Sequence, residues 1–450
     1  MDRYRVAVVG AGPSGLYAAA ALLASGRPID VDVLDRLPAP YGLVRYGVAP
    51  DHVKMKSVIR VLRQPFEPAH VAFLGGVRIG GPGDPEGFPL DDLRAHVHAV
   101  VHATGSSLDR PLGVPGEDLP GSHGSGAFVS WYCGHPDAVD LAPELDHPGV
   151  AVVGAGNVGL DVARVLARDP AEMATTDVPD PVLDVLRSSR VRDVHVLVRR
   201  GPQHVRFTPA ELRQIGGLPG VDVVVHDDGL LAAGVEAPDD RRQRQNLAML
   251  TEWAARPPGH APRRIHLRFL RSPVEVLGED RVRGVVVERN RLDGGRVVGT
   301  GERETLDVGL VVRAIGYTAE PVPGLPFDPA TGTVPNAGGR VVRDGAPVPG
   351  AYVTGWIKRG PTGVIGTNKG DAVETVEALL ADLPTLPAPT RAEPLADALR
   401  ARGQRPVDWS AWLRLDAEEV RRGGSRGAER VKVAALAEML DAAHGARTRS

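Results

Sequence analysis

Two stretches of this chain put glycines where a backbone has to come close to an anion. The first, "RVAVVGAGPSG" at 5–15, carries Gly10, Gly12 and Gly15; the second, "VAVVGAGNVG" at 150–159, carries Gly154, Gly156 and Gly159. Each follows a valine-rich run of strand type and precedes an alanine- and leucine-rich run of helix type, at 16–25 and 160–167. In a G-x-G-x-x-G turn the first glycine permits the tight bend and the second lets backbone approach a pyrophosphate. The third lets helix and strand pack closely, and the helix N-terminus offers its N–H groups to the anion. One such turn is weak evidence, but two between strand and helix point to two dinucleotide sites.

The strand after each turn tells the sites apart. "VDVLDR" ends at Asp35, 20 residues after Gly15. A carboxylate there accepts hydrogen bonds from free ribose hydroxyls, so FAD and NAD both fit. After the second turn an insertion at 168–192 precedes "DVHVLVRRG", which ends on Arg199 and Arg200 with no acid at its tip. Two guanidiniums at a ribose edge suit a 2′-phosphate, hence NADP(H). A third glycine-rich stretch, "GWIKRGPTGVIGTNKGD" at 355–371, is basic but lacks the lysine a P-loop needs after its last glycine. Apolar residues at Val373, Val376, Leu379, Leu380 and Leu383 predict a helix over 371–383.

Two nucleotide units need connections. "VVHATGS" at 100–106 and "VVRAIGY" at 311–317 read as crossovers between them. The expected architecture is α/β, with two Rossmann-like dinucleotide-binding domains. An inserted NADP domain at 106–318 interrupts a discontinuous FAD domain at 1–105 and 319–450. Proline-rich 382–394 reads as a linker to a helical tail at about 385–450.

Composition narrows the chemistry. Of 450 residues, 42% are apolar and 24% charged, with a net charge of −3, as in an ordinary globular protein with no global pull toward nucleic acid or membrane. The single cysteine, Cys133, rules out an intrachain disulfide, a C-x-x-C pair and a four-cysteine iron–sulfur cluster held by this chain alone, and is expected to be packed. The uncharged run 6–24 resembles a signal segment, but the first glycine turn interrupts it. With the first strand starting almost at the first residue, no room is left for a targeting peptide, and the cytoplasm is the expected location. Arginines cluster at Arg187, Arg190, Arg192, Arg206 and Arg213, and again at Arg241, Arg242, Arg244, Arg256, Arg263, Arg264, Arg268 and Arg271, with few acids interrupting either run.

With the glycine turns, "PYGLVRYGVAPDH", "GLDVARVLAR", "VRRGP", "FTPAELR" and "GWIKRGPTGVIGTNKGDA" spread over 6–372, and "PYGLVRYGVAPDH" and "GWIKRGPTGVIGTN" are far more specific than the turns. With them the chain resembles the adrenodoxin reductase-like ferredoxin–NADP reductases, within the flavoproteins that bind two dinucleotides. The tail "WLRLDAEEV" is also similar. This chain has Gly159 where the family usually has alanine, Asp35 where it has glutamate, and "WYCG" at Cys133 where "WYNG" is commoner.

The resemblance implies an enzyme that takes hydride from NADPH onto FAD and passes electrons singly to a ferredoxin-type iron–sulfur protein. It implies FAD on Gly10, Gly12, Ser14 and Gly15, Asp35, Leu43, Ile79, Trp356, Gly363, Val364 and Ile365. It implies NADP on Gly154, Gly156, Asn157, Val158 and Gly159, Arg199 and Arg200, with Glu211 and Gly366 toward the nicotinamide. His52 and Glu211 would position groups at the transfer point without serving as obligatory acid or base. Docking of an acidic ferredoxin would use Arg213, Arg256, Arg263 and Arg264, on an enzyme expected to be monomeric. Two other readings use the same nucleotides: a flavin monooxygenase or quinone reductase acting on a small molecule, and a nucleotide-sensing flavoprotein without turnover.

Overall fold

The computed structural model describes residues 3–81, 83–236, 238–257 and 259–445; residues 1–2 and 446–450, the ends of the expected first domain and tail, lie outside these. Two mainly parallel sheets organise the chain. The first has seven strands in the order Asn336–Ala337, Arg340–Arg343, Ala346–Val353, Ala99–His102, Tyr4–Val9, Ile29–Asp35 and Val71–Gly75. The second has six, in the order Val221–His226, Arg263–Phe269, Asp193–Val198, Gly149–Val153, Leu310–Arg313 and Ser122–Gly124. Central strands read as unbroken apolar runs because both of their faces are covered: Val6, Ala7 and Val8, and Val150, Ala151 and Val152, have no exposed surface.

Each glycine turn sits at the end of a central strand, where strand order reverses and ligands bind in such sheets. Helix Pro13–Ala24 follows the first turn and packs along helix Thr367–Asp382. Helix Asn157–Ala167 follows the second. Both helices begin about three residues before the apolar pattern does, because "PSG" and "NVG" are turn residues that also fill a first helical turn. The helix expected over 371–383 likewise begins at Thr367; its first turn, "TNKG", carries no apolar residue to reveal it.

The crossovers are structural as well as connective. Leu108–Asp109 and Tyr317–Thr318 pair antiparallel, so the two passages between sheets run side by side. Their preceding residues press on the glycine turns. A Cβ on Gly10 (φ +110°) would lie 2.4 Å from the Ala103 carbonyl oxygen, and one on Gly154 (φ +136°) 2.1 Å from that of Ala314, so neither position admits a side chain.

An antiparallel meander, Arg271–Leu277, Gly284–Asp293 and Arg296–Leu306, covers the back of the second sheet through Val276, Val285 and Leu306 against Val153, Leu197 and Val311. After an irregular stretch at 386–394, helices Leu395–Ala401, Trp409–Arg426 and Leu436–His444 follow. Trp412, Leu415 and Met439 enter the same core as Leu16, Leu22 and Phe73 of the first sheet. Among the described residues no helix is long and apolar enough to cross a membrane.

Cys133 is fully buried, its thiol donating to the Val48 carbonyl at 3.3 Å, and burial pushes its pKa up to about 11. The folded protein is therefore expected to resist iodoacetamide at pH 8 and to react only in denaturant; intact mass reads the difference.

Candidate functional site

Three segments converge on the first glycine turn. Gly42 lies against Gly12, where an added Cβ would meet the Gly12 Cα at 2.9 Å, and carries the chain into the helical turn Leu43–Tyr46. Gly355 lies against Ser14, whose hydroxyl also meets Asn368 Oδ1 at 3.0 Å. Asp35 binds the turn itself: its carboxylate accepts from the Ala11 and Leu37 N–H groups at 2.8 and 2.9 Å. Burial raises the Asp35 pKa and these two bonds oppose the rise, while one lone pair on each oxygen remains for a ribose hydroxyl. The Asp35 carbonyl accepts from Val77 N–H, which starts the segment carrying Ile79. Leu43 and Val364 stay open to solvent, 44% and 64% exposed.

Lys358 and Arg359 are held by the loop and the helix that follows it, whereas Lys369 is exposed. Lys358 reaches Asp371 and Glu374, both at 2.8 Å, and Arg359 donates to Asn368 at 2.6 Å. Asp371 also accepts from Gly355 N–H at 2.5 Å, closing the loop on the helix that follows it. The loop is held for shape. Its Trp356 stacks on Tyr317 of the second crossover, with ring centroids 6.2 Å apart. Gly363, Val364 and Ile365 lead to Gly366, where the helix starts without a side-chain cap.

At the second turn, Asn157 Oδ1 accepts from Thr208 N–H at 2.8 Å, tying the turn to the "FTPAEL" segment. Val158 and Gly159 begin the helix and are half-buried and buried. Arg199 and Arg200 stand at the tip of the neighbouring strand with no carboxylate within ion-pair distance among the described residues, and Arg200 Nε is buried without a partner. Their backbone is fixed instead: buried Asn290 donates to the Arg199 carbonyl at 3.0 Å, and Leu270 N–H to that of Arg200 at 3.2 Å.

Between the two turns lies a charge cluster that joins the sheets. His52 Nε2 is 3.0 Å from Asp161 and 3.2 Å from Glu211. Arg164, fully buried, reaches Asp161 at 2.6 Å, Glu211 at 3.3 Å and both oxygens of Asp51 at 2.7 and 3.0 Å. Arg168 approaches Asp51 at 3.4 Å. Three carboxylates thus share Arg164 and His52, while Arg168, which also pairs with Glu172 at 3.3 Å, stands at the edge. Burial alone would lower the His52 pKa, but hydrogen bonds to Asp161 and Glu211 outweigh it and raise it to about 9. Asp51 is pulled below its usual range by Arg164 against the opposing effect of burial. The sequence motifs pointed to His52 and Glu211 alone. Asp51, Asp161 and Arg164 were legible only as "PDH" and as an i, i+3 pair in "GLDVAR".

This cluster has a pH consequence. Folded His52 holds its proton to about pH 9, whereas an unfolded histidine releases it near pH 6.5. Its contribution to stability is complete below about pH 6.5 and is lost as pH rises through about 9. The thermal midpoint is expected to fall across that window, and His52→Gln to flatten the fall; a midpoint that declines equally in both proteins would contradict the assignment.

The residues present suit two dinucleotides. Both turn helices, preceded by Gly12 and Gly156, have no side-chain cap, and around Gly156 an added Cβ would meet nothing within 4 Å. At the strand tip beside the second turn, Arg200 Nε is a buried donor without a partner. His52, Asp161 and Glu211 offer metal-type ligand atoms within 4.8 Å of one another. Arg164 already supplies positive charge to both carboxylates.

The arginine runs are less free than their sequence suggests. Acids distant in sequence meet them: Asp193 at Arg264 (2.7 Å), Asp228 at Arg271 (2.9 Å) and Glu304 at Arg268 (3.4 Å). Arg256 pairs with Glu252 at 2.7 Å, one helical turn away. Arg263 turns inward and donates to the Ala167 and Arg168 carbonyls, closing the end of the Asn157–Ala167 helix. Arg213 is exposed and has no ion-pair partner among the described residues.

Two open glycine cradles on paired parallel sheets, bridged by one charge cluster, define a two-dinucleotide oxidoreductase. Residues 4–215 match the pyridine nucleotide-disulphide oxidoreductase family model. The NADPH-ferredoxin reductase FprA of Mycobacterium tuberculosis (strain ATCC 25618 / H37Rv) is 43% identical over 98% of this chain and 99% of its own. The mitochondrial NADPH:adrenodoxin oxidoreductase of Mus musculus is 41% identical over 97% and 91%. The solved structure of M. tuberculosis FprA in complex with NADPH superposes with a TM-score of 0.90 at 42% identity, covering 99% of this chain and all of that one. The chain belongs to the adrenodoxin reductase-like family of NADPH–ferredoxin reductases.

Proposed function

We propose that this protein carries electrons from NADPH to a ferredoxin-type iron–sulfur protein, with FAD in the first cradle and NADP(H) in the second. The observation that supports it most is the His52 bridge. His52 lies shortly after the helical turn Leu43–Tyr46 that leaves the first cradle, and it touches Glu211 and Asp161 beside the second, so it would stand where the two cofactors meet. Bound FAD would accept a hydride and release electrons one at a time.

The chain's own residues bind and orient. Ser14, Asp35, Leu43, Ile79 and Trp356 would hold the flavin dinucleotide, with backbone at Gly363, Val364 and Ile365. The 355–371 loop would let backbone approach the redox end, and its uncapped helix N-terminus would favour negative charge there. Asn157 and Val158 would seat the pyrophosphate of NADP, and Arg199 with Arg200 its 2′-phosphate. His52 and Glu211 would fix groups at the transfer point, with Gly366 near both cofactors. The FAD-side domain is taken as 1–105 with 319–450, and the NADP-side domain as 106–318.

Arg213, Arg256 and Arg264 would form a basic face for an acidic ferredoxin, while Arg263 would support that face from within. The protein is proposed to act as a cytoplasmic monomer. A direct test is anaerobic turnover with NADPH and a low-potential ferredoxin over a salt series. Ferredoxin reduction that slows steeply with salt, while flavin bleaching by NADPH does not, is expected; salt-independent reduction would contradict the docking face.

A further inference from the structure

Lys432 belongs to neither glycine turn, yet it is 3% exposed and ties three parts of the fold together. Its Nζ donates to the Arg45 carbonyl at 2.7 Å and to the Cys133 carbonyl at 2.9 Å, and lies 3.2 Å from Asp177. An ammonium has three protons and three oxygens meet it here. Arg45 lies in the turn that follows Leu43 on the first cradle. Cys133 ends helix Ser125–Tyr132 beside the second sheet, and Asp177 lies in the insertion before Arg199.

The same acid has a second grip. Lys56 binds both Asp177 oxygens at 2.7 Å. The segment 45–56, which carries Asp51 and His52, is thus held at both ends through Lys432 and Asp177. The Arg45 side chain is held separately by Glu419 of helix Trp409–Arg426, at 2.8 and 2.5 Å, and Glu419 in turn accepts from Val433 N–H at 3.0 Å, next to Lys432. Arg426 of the same helix reaches Asp180 at 2.7 Å and the Thr176 and Val178 carbonyls. The C-terminal segment therefore grips both sheets' surroundings and the bridge between them.

We propose that Lys432 is a positioning residue for the NADPH-to-flavin step: the C-terminal segment sets the spacing of the two cradles by clamping segment 45–56 against Asp177 and Cys133. This rests on the reading that NADPH reduces bound FAD. A displacement of about 1 Å between reacting groups costs on the order of a hundredfold in rate, so a clamp outside the site has leverage on it. Burial lowers the Lys432 pKa to about 8, against the pull of Asp177, so the ammonium still predominates at neutral pH.

The test compares the wild type, Lys432→Met and Lys432→Arg as FAD-replete proteins in anaerobic stopped flow with NADPH. For Lys432→Met the limiting rate of flavin reduction is expected to fall at least about tenfold. Half-saturating NADPH should change less than about threefold, and the long-wavelength nicotinamide–flavin charge-transfer absorbance should be lost. Lys432→Arg, which keeps the charge, should recover part of both. If Lys432→Met does not retain FAD, Asp177→Asn carries the same test with the same thresholds. A limiting rate within about twofold of wild type, with the charge-transfer band intact, would overturn the positioning role alone. A wild type that NADPH does not reduce would overturn the assigned activity and this role with it.

Discussion

Arg164→Met is expected to cost about 3–5 kcal/mol of stability, the usual loss when one member of a buried ion network is removed. Arg164 has no exposed surface, and its guanidinium satisfies Asp51, Asp161 and Glu211 together. Methionine fills much of the same volume, so the loss reports charge left without a partner and very little cavity. Urea denaturation measures it. Adding Asp51→Asn should return part of the loss, because it removes one of the stranded carboxylates, and the non-additivity gives the strength of the pair. A single-mutant cost below about 1 kcal/mol would mean that the network is solvated, contrary to its burial. The bridge also joins the sheets, so flavin reduction should slow in the same variant.

The second large effect is on nucleotide choice. Replacing both Arg199 and Arg200 with alanine is expected to weaken NADPH by roughly a hundredfold to a thousandfold, from two charge-assisted hydrogen bonds of about 1.5–3 kcal/mol each, part of which solvent screens. NADH should change by less than about threefold, because it has no 2′-phosphate. The fold should tolerate the change: the backbone at this tip is anchored by Asn290 and Leu270, and neither guanidinium has an ion-pair partner among the described residues. Half-saturating concentrations for flavin reduction by the two nucleotides measure the outcome. Equal losses for both would place the 2′-phosphate elsewhere.

What the sequence revealed follows from locality. Glycine turns, valine strands and the acid or arginines at the next strand tip are fixed by a few adjacent residues, so both cradles could be read directly. The family of the chain was legible for the same reason, in contiguous motifs such as "PYGLVRYGVAPDH". Pairing across the fold was not. Asp51 and Arg164 are 113 positions apart, and Arg45 and Lys432 are 387 apart, so no local pattern announces either contact. The arginine runs show the converse. They looked poor in acids because Asp193, Asp228 and Glu304 reach them only once the strands are assembled. The 355–371 loop drew attention by its lysines and arginine, of which the fold uses Lys358 and Arg359 to brace the loop.

The central claim is that this protein turns two-electron delivery into one-electron delivery. It is tested most directly by mixing a limiting amount of NADPH anaerobically with the FAD-loaded protein and an excess of oxidised one-electron ferredoxin, and counting reduced ferredoxin by its absorbance. The flavin is expected to bleach and recover, with two ferredoxins reduced for each NADPH consumed. A flavin that NADPH leaves oxidised, or one that bleaches and then fails to pass its electrons to ferredoxin, would contradict the claim.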